Sequence, residues 1–194
     1  TYKVEKSTNA TTWTVDSSTV TSSSNPTSYS LSGLTNGTTY YVRVTNTTDG
    51  TQEPGAAVAV RPRANPAAVD TLTVTRALKS LGASWSQPAN LGGAQLYGYE
   101  VTLVDSASAV VSTDTVTTTS KTFNDLSGTE TYTVRVRTIT NSGDGGYLYS
   151  PVAQVANLKV YEVPQTLVLS ATAVETATQA RIAWPTPTTS TELG

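Results

Sequence analysis

Surface chemistry needs a nucleophile, a proton shuttle or a set of metal ligands, and this sequence offers few candidates. Its 194 residues contain no Cys, no His and no Met. Without Cys there is no disulfide, no thiol nucleophile and no thiolate metal site. Without His, the commonest general base and metal ligand are gone, and the many Ser and Thr hydroxyls lack an imidazole to activate them. The best carboxylate pair for glycoside cleavage is Glu100 with Glu130, on neighbouring predicted strands, and nothing carves a cleft between them. Asp144 with Asp125 or Asp49 suggests calcium, which takes about six to eight oxygens, usually from carboxylates close in sequence. These three stand singly in turns instead. No glycine-rich segment joins a strand to a helix as a phosphate cradle. The expectation is a chain with no catalytic residue, no cofactor and no metal.

Aromatic residues are the better candidates for recognition. Trp13, in Thr11-Thr12-Trp13-Thr14-Val15, and Tyr147 and Tyr149, beside the loop Asn141-Ser142-Gly143-Asp144-Gly145-Gly146, form a candidate contact surface. An exposed ring stacks on a sugar or anchors a protein partner. The competing reading packs Trp13 over its own sheet and makes the tyrosines a lid on the loop or part of a joint. Asn9, Asn36 and Asn46 begin glycosylation sequons, which arise readily by chance in a Thr-rich chain.

Charge excludes other partners. Twelve Lys and Arg oppose fourteen Asp and Glu, a net charge of −2, which leaves no footprint for nucleic acid or an anionic membrane. No apolar run approaches the roughly 20 residues of a membrane span, and no stretch reads as a signal peptide. A start other than Met reads as a processed product or a window on a longer chain. Charged residues make up 13% of the chain and hydrophobic residues 37%, which is not the balance of a disordered segment. Roughly a fifth of the chain is Thr, suited to the half-exposed face of a strand.

The elements that would position these residues are strands. Tyr132, Val134 and Val136 alternate with Thr133 and Arg135, and Leu72 and Val74 alternate with Thr71 and Thr73. Period two with turn residues between short runs predicts sheets with one buried and one wet face. The Ala-rich segment 171–180 is the one helical candidate, and Thr172, Thr176 and Thr178 argue against it.

The pattern also repeats. Leu34-Thr35-Asn36-Gly37-Thr38-Thr39-Tyr40-Tyr41-Val42-Arg43-Val44 returns as Leu126-Ser127-Gly128-Thr129-Glu130-Thr131-Tyr132-Thr133-Val134-Arg135-Val136. Thr1-Tyr2-Lys3-Val4 returns as Gly98-Tyr99-Glu100-Val101. Leu72-Thr73-Val74 and Ala83-Ser84-Trp85 return as Leu167-Val168-Leu169 and Ile182-Ala183-Trp184. Pro-containing joints at 61–66 and 162–164 separate the units.

In its order of Trp85, Tyr99 with Val101, and Leu126 with Tyr132, the chain resembles tandem fibronectin type III modules over essentially its whole length. The resemblance implies an all-β fold of tandem seven-stranded antiparallel immunoglobulin-like β-sandwiches arranged end to end. It divides the chain into residues 1–63, the closing part (strands C to G) of a first module; 64–162, a complete module; and 163–194, the opening strands A and B of a third. The implied structural core comprises Trp85, Tyr99, Val101, Leu126, Tyr132 and Val134, with Leu34, Tyr40 and Trp184 in the partial modules. Tyr132 falls where the family places a tyrosine corner, its hydroxyl bonded to backbone a few residues upstream. The integrin-binding tripeptide Arg-Gly-Asp of some family members is missing.

The two ends fall at the same phase of the repeat. Tyr2 and Tyr99 lie 97 residues apart, and Glu192-Leu193-Gly194 followed by Thr1-Tyr2-Lys3-Val4 continues the pattern of Gln95 to Val101 in register. Two readings meet this. The sequence is a window on a longer covalent array, or Leu167, Leu169, Ile182 and Trp184 belong to inter-protomer strands that complete the next molecule. The covalent array is favoured, because a remnant without its Trp would expose a core face and a sheet edge. The expected function is a structural and adhesive repeat segment of an extracellular fibre or cell-surface protein, with rigid spacer beads joined head to tail. A phage virion appendage and the non-catalytic spacer of a secreted polysaccharide hydrolase are the alternatives. Expected partners are neighbouring copies or repeats, and carbohydrate or other surface proteins.

Overall fold

The computed structural model describes residues 1–20, 28–47, 53–163, 170–173 and 180–184. Among these residues every helix or strand is a strand: β1 (Tyr2–Ser7), β2 (Thr14–Val20), β3 (Tyr40–Asn46), β4 (Val58–Val60), β5 (Asp70–Ala77), β6 (Ser80–Ser86), β7 (Leu96–Val104), β8 (Val110–Val116), β9 (Ser120–Phe123), β10 (Tyr132–Asn141), β11 (Tyr147–Tyr149), β12 (Ala153–Leu158), β13 (Ser170–Ala173) and β14 (Ala180–Ala183). Among the described residues, the pairings β1–β2, β1–β3, β3–β4, β5–β6, β6–β9, β7–β8, β10–β11, β10–β12 and β13–β14 are antiparallel. The Ala-rich segment forms no helix among its described residues; its two ends lie in β13 and β14.

Two compact units emerge. The first comprises Thr1–Ala68, Gln87–Gly98 and Arg137–Pro151, and the second Val69–Ser86, Tyr99–Val136 and Val152–Gly194.

The second unit holds a sealed core. β5, β6 and β9 form one sheet in that order. β7, β8, β10 and β12 belong to another, in which β7 pairs β8 and β12 pairs β10. Alternation on these strands drives Leu81, Trp85, Tyr99, Val101, Phe123, Tyr132, Val134 and Leu158 into the interior, and Leu126, in the turn between β9 and β10, is buried with them. Trp85 and Tyr99 meet edge to face, with ring centroids 5.4 Å apart and planes at 70°. That geometry is worth about 0.5–1.5 kcal/mol beyond the area the rings bury. The Ser127 N–H donates to the Tyr132 hydroxyl at 3.0 Å, tying the turn before β10 to the strand itself.

The first unit contains a sheet ordered β2-β1-β3-β4. This matches the order β8-β7-β10-β12 strand for strand, so the repeat in sequence is also a repeat in topology. The corner recurs too: the Thr35 N–H donates to the Tyr40 hydroxyl at 3.1 Å. Burial does not recur equally. Val4 is buried, Leu34 and Tyr40 are only half-buried, and Val44 is 45% exposed. The sheet contains strands C′, C, F and G of the pattern, and no A-B-E sheet faces it among the described residues of its unit.

Trp184, which the resemblance assigns to the core of a partial module, is 61% exposed. It follows β14, whose sheet contains β13 alone, so no facing layer covers the indole among the described residues. Leu167 and Leu169 lie outside the described residues. The backbone of Ile182 lies in β14, opposite Ala171. Ser170 opposes Ala183 as Thr73 opposes Ser84.

Candidate contact surface

On the first unit, the face of the sheet that carries Glu5 and Arg43 is held by charge. Arg43 and Glu5 are register partners on β3 and β1, so their side chains share a face. The Arg43 Nε donates to Glu5 Oε2 at 2.9 Å, and Lys3 Nζ lies 3.3 Å from Glu5 Oε1. The Arg43 guanidinium also lies 4.0 Å from the centre of the Trp13 ring. Glu5 is buried beneath these partners. The Arg43 hydrogen bond holds its carboxyl below the usual carboxylate range; burial pushes the other way, and Lys3 reinforces the lowering. Trp13 is thus half-buried and stacked on a cation, packing over its own sheet with one face of the ring engaged.

A second aromatic group gathers around β11, also in the first unit. The Tyr147 and Tyr97 rings lie 4.5 Å apart at 51°, and the Arg137 guanidinium lies 4.2 Å from the Tyr149 ring centre. All three tyrosines are exposed. The Tyr147 hydroxyl titrates above its usual range because of its hydrogen bond with Tyr97 and some burial. The neighbouring loop is closed on itself: the Asp144 carboxylate accepts from the Ser142 hydroxyl and the Gly146 N–H. These two bonds, in that order, lower the Asp144 carboxyl. A cleft of about 330 Å³ beside it is lined by Arg61, Arg63, Gln95, Asn141, Gly143 and Gly145.

The carboxylates weighed for catalysis and calcium behave as turn and surface groups. Glu130 accepts from the Ser106 hydroxyl at 3.0 Å, and Glu100 is half-buried on β7. Asp125 sits in a tight turn with φ at 58°. Asp49 lies outside the described residues. No group of three His, Cys, Asp or Glu that could hold a metal occurs among the described residues. Among them, too, no helix is long and apolar enough to cross a membrane.

Sequence reasoning found Trp13, Tyr147 and Tyr149 but not what they touch. Arg43 was legible as the repeat of Arg135, and Lys3 and Glu5 as alternate positions on one strand face. The cross-strand register that brings them under Trp13 was not. Tyr97 and Arg137 carried no motif at all.

Two sheets enclosing a sealed core, an edge-on Trp and Tyr at its centre and a tyrosine bonded back to its own turn define an immunoglobulin-like β-sandwich module. The model of the fibronectin type III domain matches residues 67–155, and that segment is a fibronectin type III domain. Such a domain has a structural and adhesive modular role. A Kelch domain-containing protein of the archaeon Saccharolobus solfataricus is 29% identical over 138 residues, which is 71% of this chain. The match spans about a fifth (19%) of that relative. Among solved structures, a two-domain fibronectin type III segment of chicken tenascin is 16% identical and aligns with a TM-score of 0.47. That alignment covers 82% of this chain and 83% of the tenascin segment. A multidomain crystal structure from titin is 20% identical with a TM-score of 0.41, covering 62% and 40% of the two chains.

Proposed function

We propose that the chain is a structural and adhesive repeat segment of an extracellular fibre or cell-surface protein, in which sandwich modules act as rigid beads. The observation that carries this reading is the joint after β4. Within the first unit, the Gly37 N–H donates to the Pro62 carbonyl at 2.8 Å and the Arg61 Nε donates to the Gly37 carbonyl at 2.7 Å. The Ala64 N–H then donates to the Gly92 carbonyl and the Ala67 N–H to the Asn90 carbonyl, each at 2.9 Å. A linker whose backbone is bonded at successive points gives up its freedom to swing, which suits a spacer and not a tether. A surface of low charge, rich in hydroxyls, is compatible with exposure outside the cell.

Strands of about eight residues at ~3.3 Å each set a bead length of roughly 25–30 Å, and each module should advance the fibre by that amount plus the joint. Electron microscopy of fibres on the producing cell, labelled with an antibody to this chain, measures the repeat. An axial spacing near half or double that value, or label confined to purified virions, overturns the proposal.

A further inference from the structure

Arg61 and Arg63 line one cleft, and among the described residues neither has a carboxylate within ion-pair distance. The cleft, of about 330 Å³, is completed by Gln95, Asn141, Gly143 and Gly145, so no acidic side chain lines it. Two guanidinium groups left unneutralised at one place run against the balance of a chain whose net charge is −2. The lining residues belong to the joint and to the loops at 87–95 and 141–146, all inside the first unit. The cleft therefore draws nothing from the strands at either end of the sequence.

Both arginines are positioned without being used up. The Arg61 Nε donates to the Gly37 carbonyl at 2.7 Å, which orients the guanidinium and leaves its outer edge uncommitted among the described residues. The Arg63 guanidinium lies over Gly143, where a β-carbon would fall on top of it. Gly143 has φ at 90°, so the loop needs glycine there both for its backbone and for the room it leaves. The Arg63 Nε is shielded from solvent and has no hydrogen-bond partner among the described residues. Asp144, in the same loop, is already engaged by the Ser142 hydroxyl and the Gly146 N–H.

The groups around the arginines narrow the ligand class. The Asn141 N–H donates to the Gln95 carbonyl at 3.0 Å, which brings two residues with side-chain amides together at the cleft. Asn141 also opposes Tyr147 in the β10–β11 pairing, and the Tyr147 ring packs on Tyr97, two residues after Gln95. Both rings are exposed. A guanidinium fork suits a carboxylate, amides suit hydroxyls, and an exposed aromatic ring covers the C–H face of a sugar. A phosphate polymer calls for a basic stripe instead, and the overall charge gives none.

We propose that this cleft binds a carboxylated sugar of a uronic-acid polysaccharide, with the carboxylate on Arg61 and Arg63 and the adjoining sugar on Tyr97 and Tyr147. Gln95 and Asn141 take hydroxyls of the bound ring. The inference deepens the adhesive reading by naming a ligand class, and rests on that reading.

The test is calorimetric titration of the 194-residue chain, in calcium-free buffer, with hexamers of galacturonate and of mannuronate. At least one should bind with a Kd below about 5 mM. Full methyl esterification of that hexamer should weaken binding by roughly 10-fold or more, because it removes the charge and keeps the sugar. Arg61→Ala and Arg63→Ala should each have a similar effect, and Arg63→Lys should recover only part of the loss, since an ammonium lacks the fork. Tyr147→Ala should weaken the hexamer by roughly 3-fold. The ester comparison uses the unaltered chain, so it stands even where an arginine variant loosens the joint. Failure of both hexamers to bind overturns the inference, and so do equal affinities for acid and ester or arginine variants that bind as the parent does. Tighter binding of free acetate or of a single-stranded oligonucleotide overturns it too, by making the cleft a general anion site. None of these results touches the bead-fibre proposal, which fails instead on the axial spacing or the location of the label.

Discussion

Gly93 lies so close to Gly37 that a methyl group on either would run into the backbone of the other. A β-carbon on Gly37 would fall 2.9 Å from the Gly93 Cα, and one on Gly93 would meet the Gly37 nitrogen closer still. Both residues have positive φ, 82° and 76°. The turn after Leu34 and the turn before β7 therefore touch through backbone alone, inside the first unit.

Gly93→Ala should accordingly cost more than its backbone strain. Gly145, with φ at 95° and open space around it, supplies the control. Ala at either position carries about 1–2 kcal/mol of left-handed strain, and only Gly93→Ala must also push the Gly37 turn away. Limited trypsin digestion should cut faster after Arg63, at the Arg63–Ala64 bond, in Gly93→Ala than in Gly145→Ala. Equal rates would show that the glycine contact does not hold the joint.

Trp85 and Tyr99 make the centre of the second unit sensitive to volume but tolerant of losing a hydroxyl. Trp85→Ala should destabilise it by about 3–5 kcal/mol in urea unfolding. Tyr99 is fully buried, and its hydroxyl has no hydrogen-bond partner among the described residues. Burial raises its ionisation above the ordinary tyrosine range. Removing that group in Tyr99→Phe should leave stability unchanged or raise it by up to about 1 kcal/mol. A loss comparable to that of Trp85→Ala would mean the hydroxyl is paired after all.

The two tyrosine corners should differ in weight. Tyr132→Phe leaves the part-buried Ser127 N–H without its acceptor and should cost about 1–2 kcal/mol. Tyr40→Phe removes the equivalent bond from Thr35 at an exposed site, where water replaces it, and should cost less than about 0.5 kcal/mol. Chemical denaturation of each single variant measures both, and a larger loss for Tyr40→Phe contradicts the argument.

Glu5 should give the first unit a pH dependence. Its carboxyl is lowered in the folded state, chiefly by the Arg43 hydrogen bond. The stabilisation is therefore complete above the ordinary glutamate value of 4.5 and is lost as the pH falls from there through the depressed native value. Arg43 and Lys3 are each about a quarter exposed, so solvent screens part of the effect. Glu5→Gln should cost about 1–2 kcal/mol at neutral pH. Urea midpoints of the two proteins should converge as the pH drops below that window, and parallel profiles would refute the assignment.

Much of the architecture is legible in the sequence. Period-two alternation in Tyr132 to Val136 requires strands, because only a pleated chain sends successive side chains to opposite faces. The recurrence of Leu34 to Val44 as Leu126 to Val136 announced a repeated sheet, and the fibronectin type III resemblance ordered its strands. The contact surface was legible only in part. Trp13, Tyr147 and Tyr149 stand out by residue type, but Arg43, Glu5, Tyr97 and Arg137 become their neighbours through register and through turns distant in sequence.

What the sequence determined by itself is local and periodic: strand identity, the turns that separate strands, the lack of Cys and His chemistry, and the repeat. Burial was decided by the tertiary structure, because a side chain is buried by the layer opposite it and not by its own strand. Val136 and Val44 occupy the same place in the same motif, yet one is 1% exposed and the other 45%. Trp85 and Trp184 differ in the same way. Each pair has one pattern, and only the presence of a facing sheet separates a core residue from an open surface.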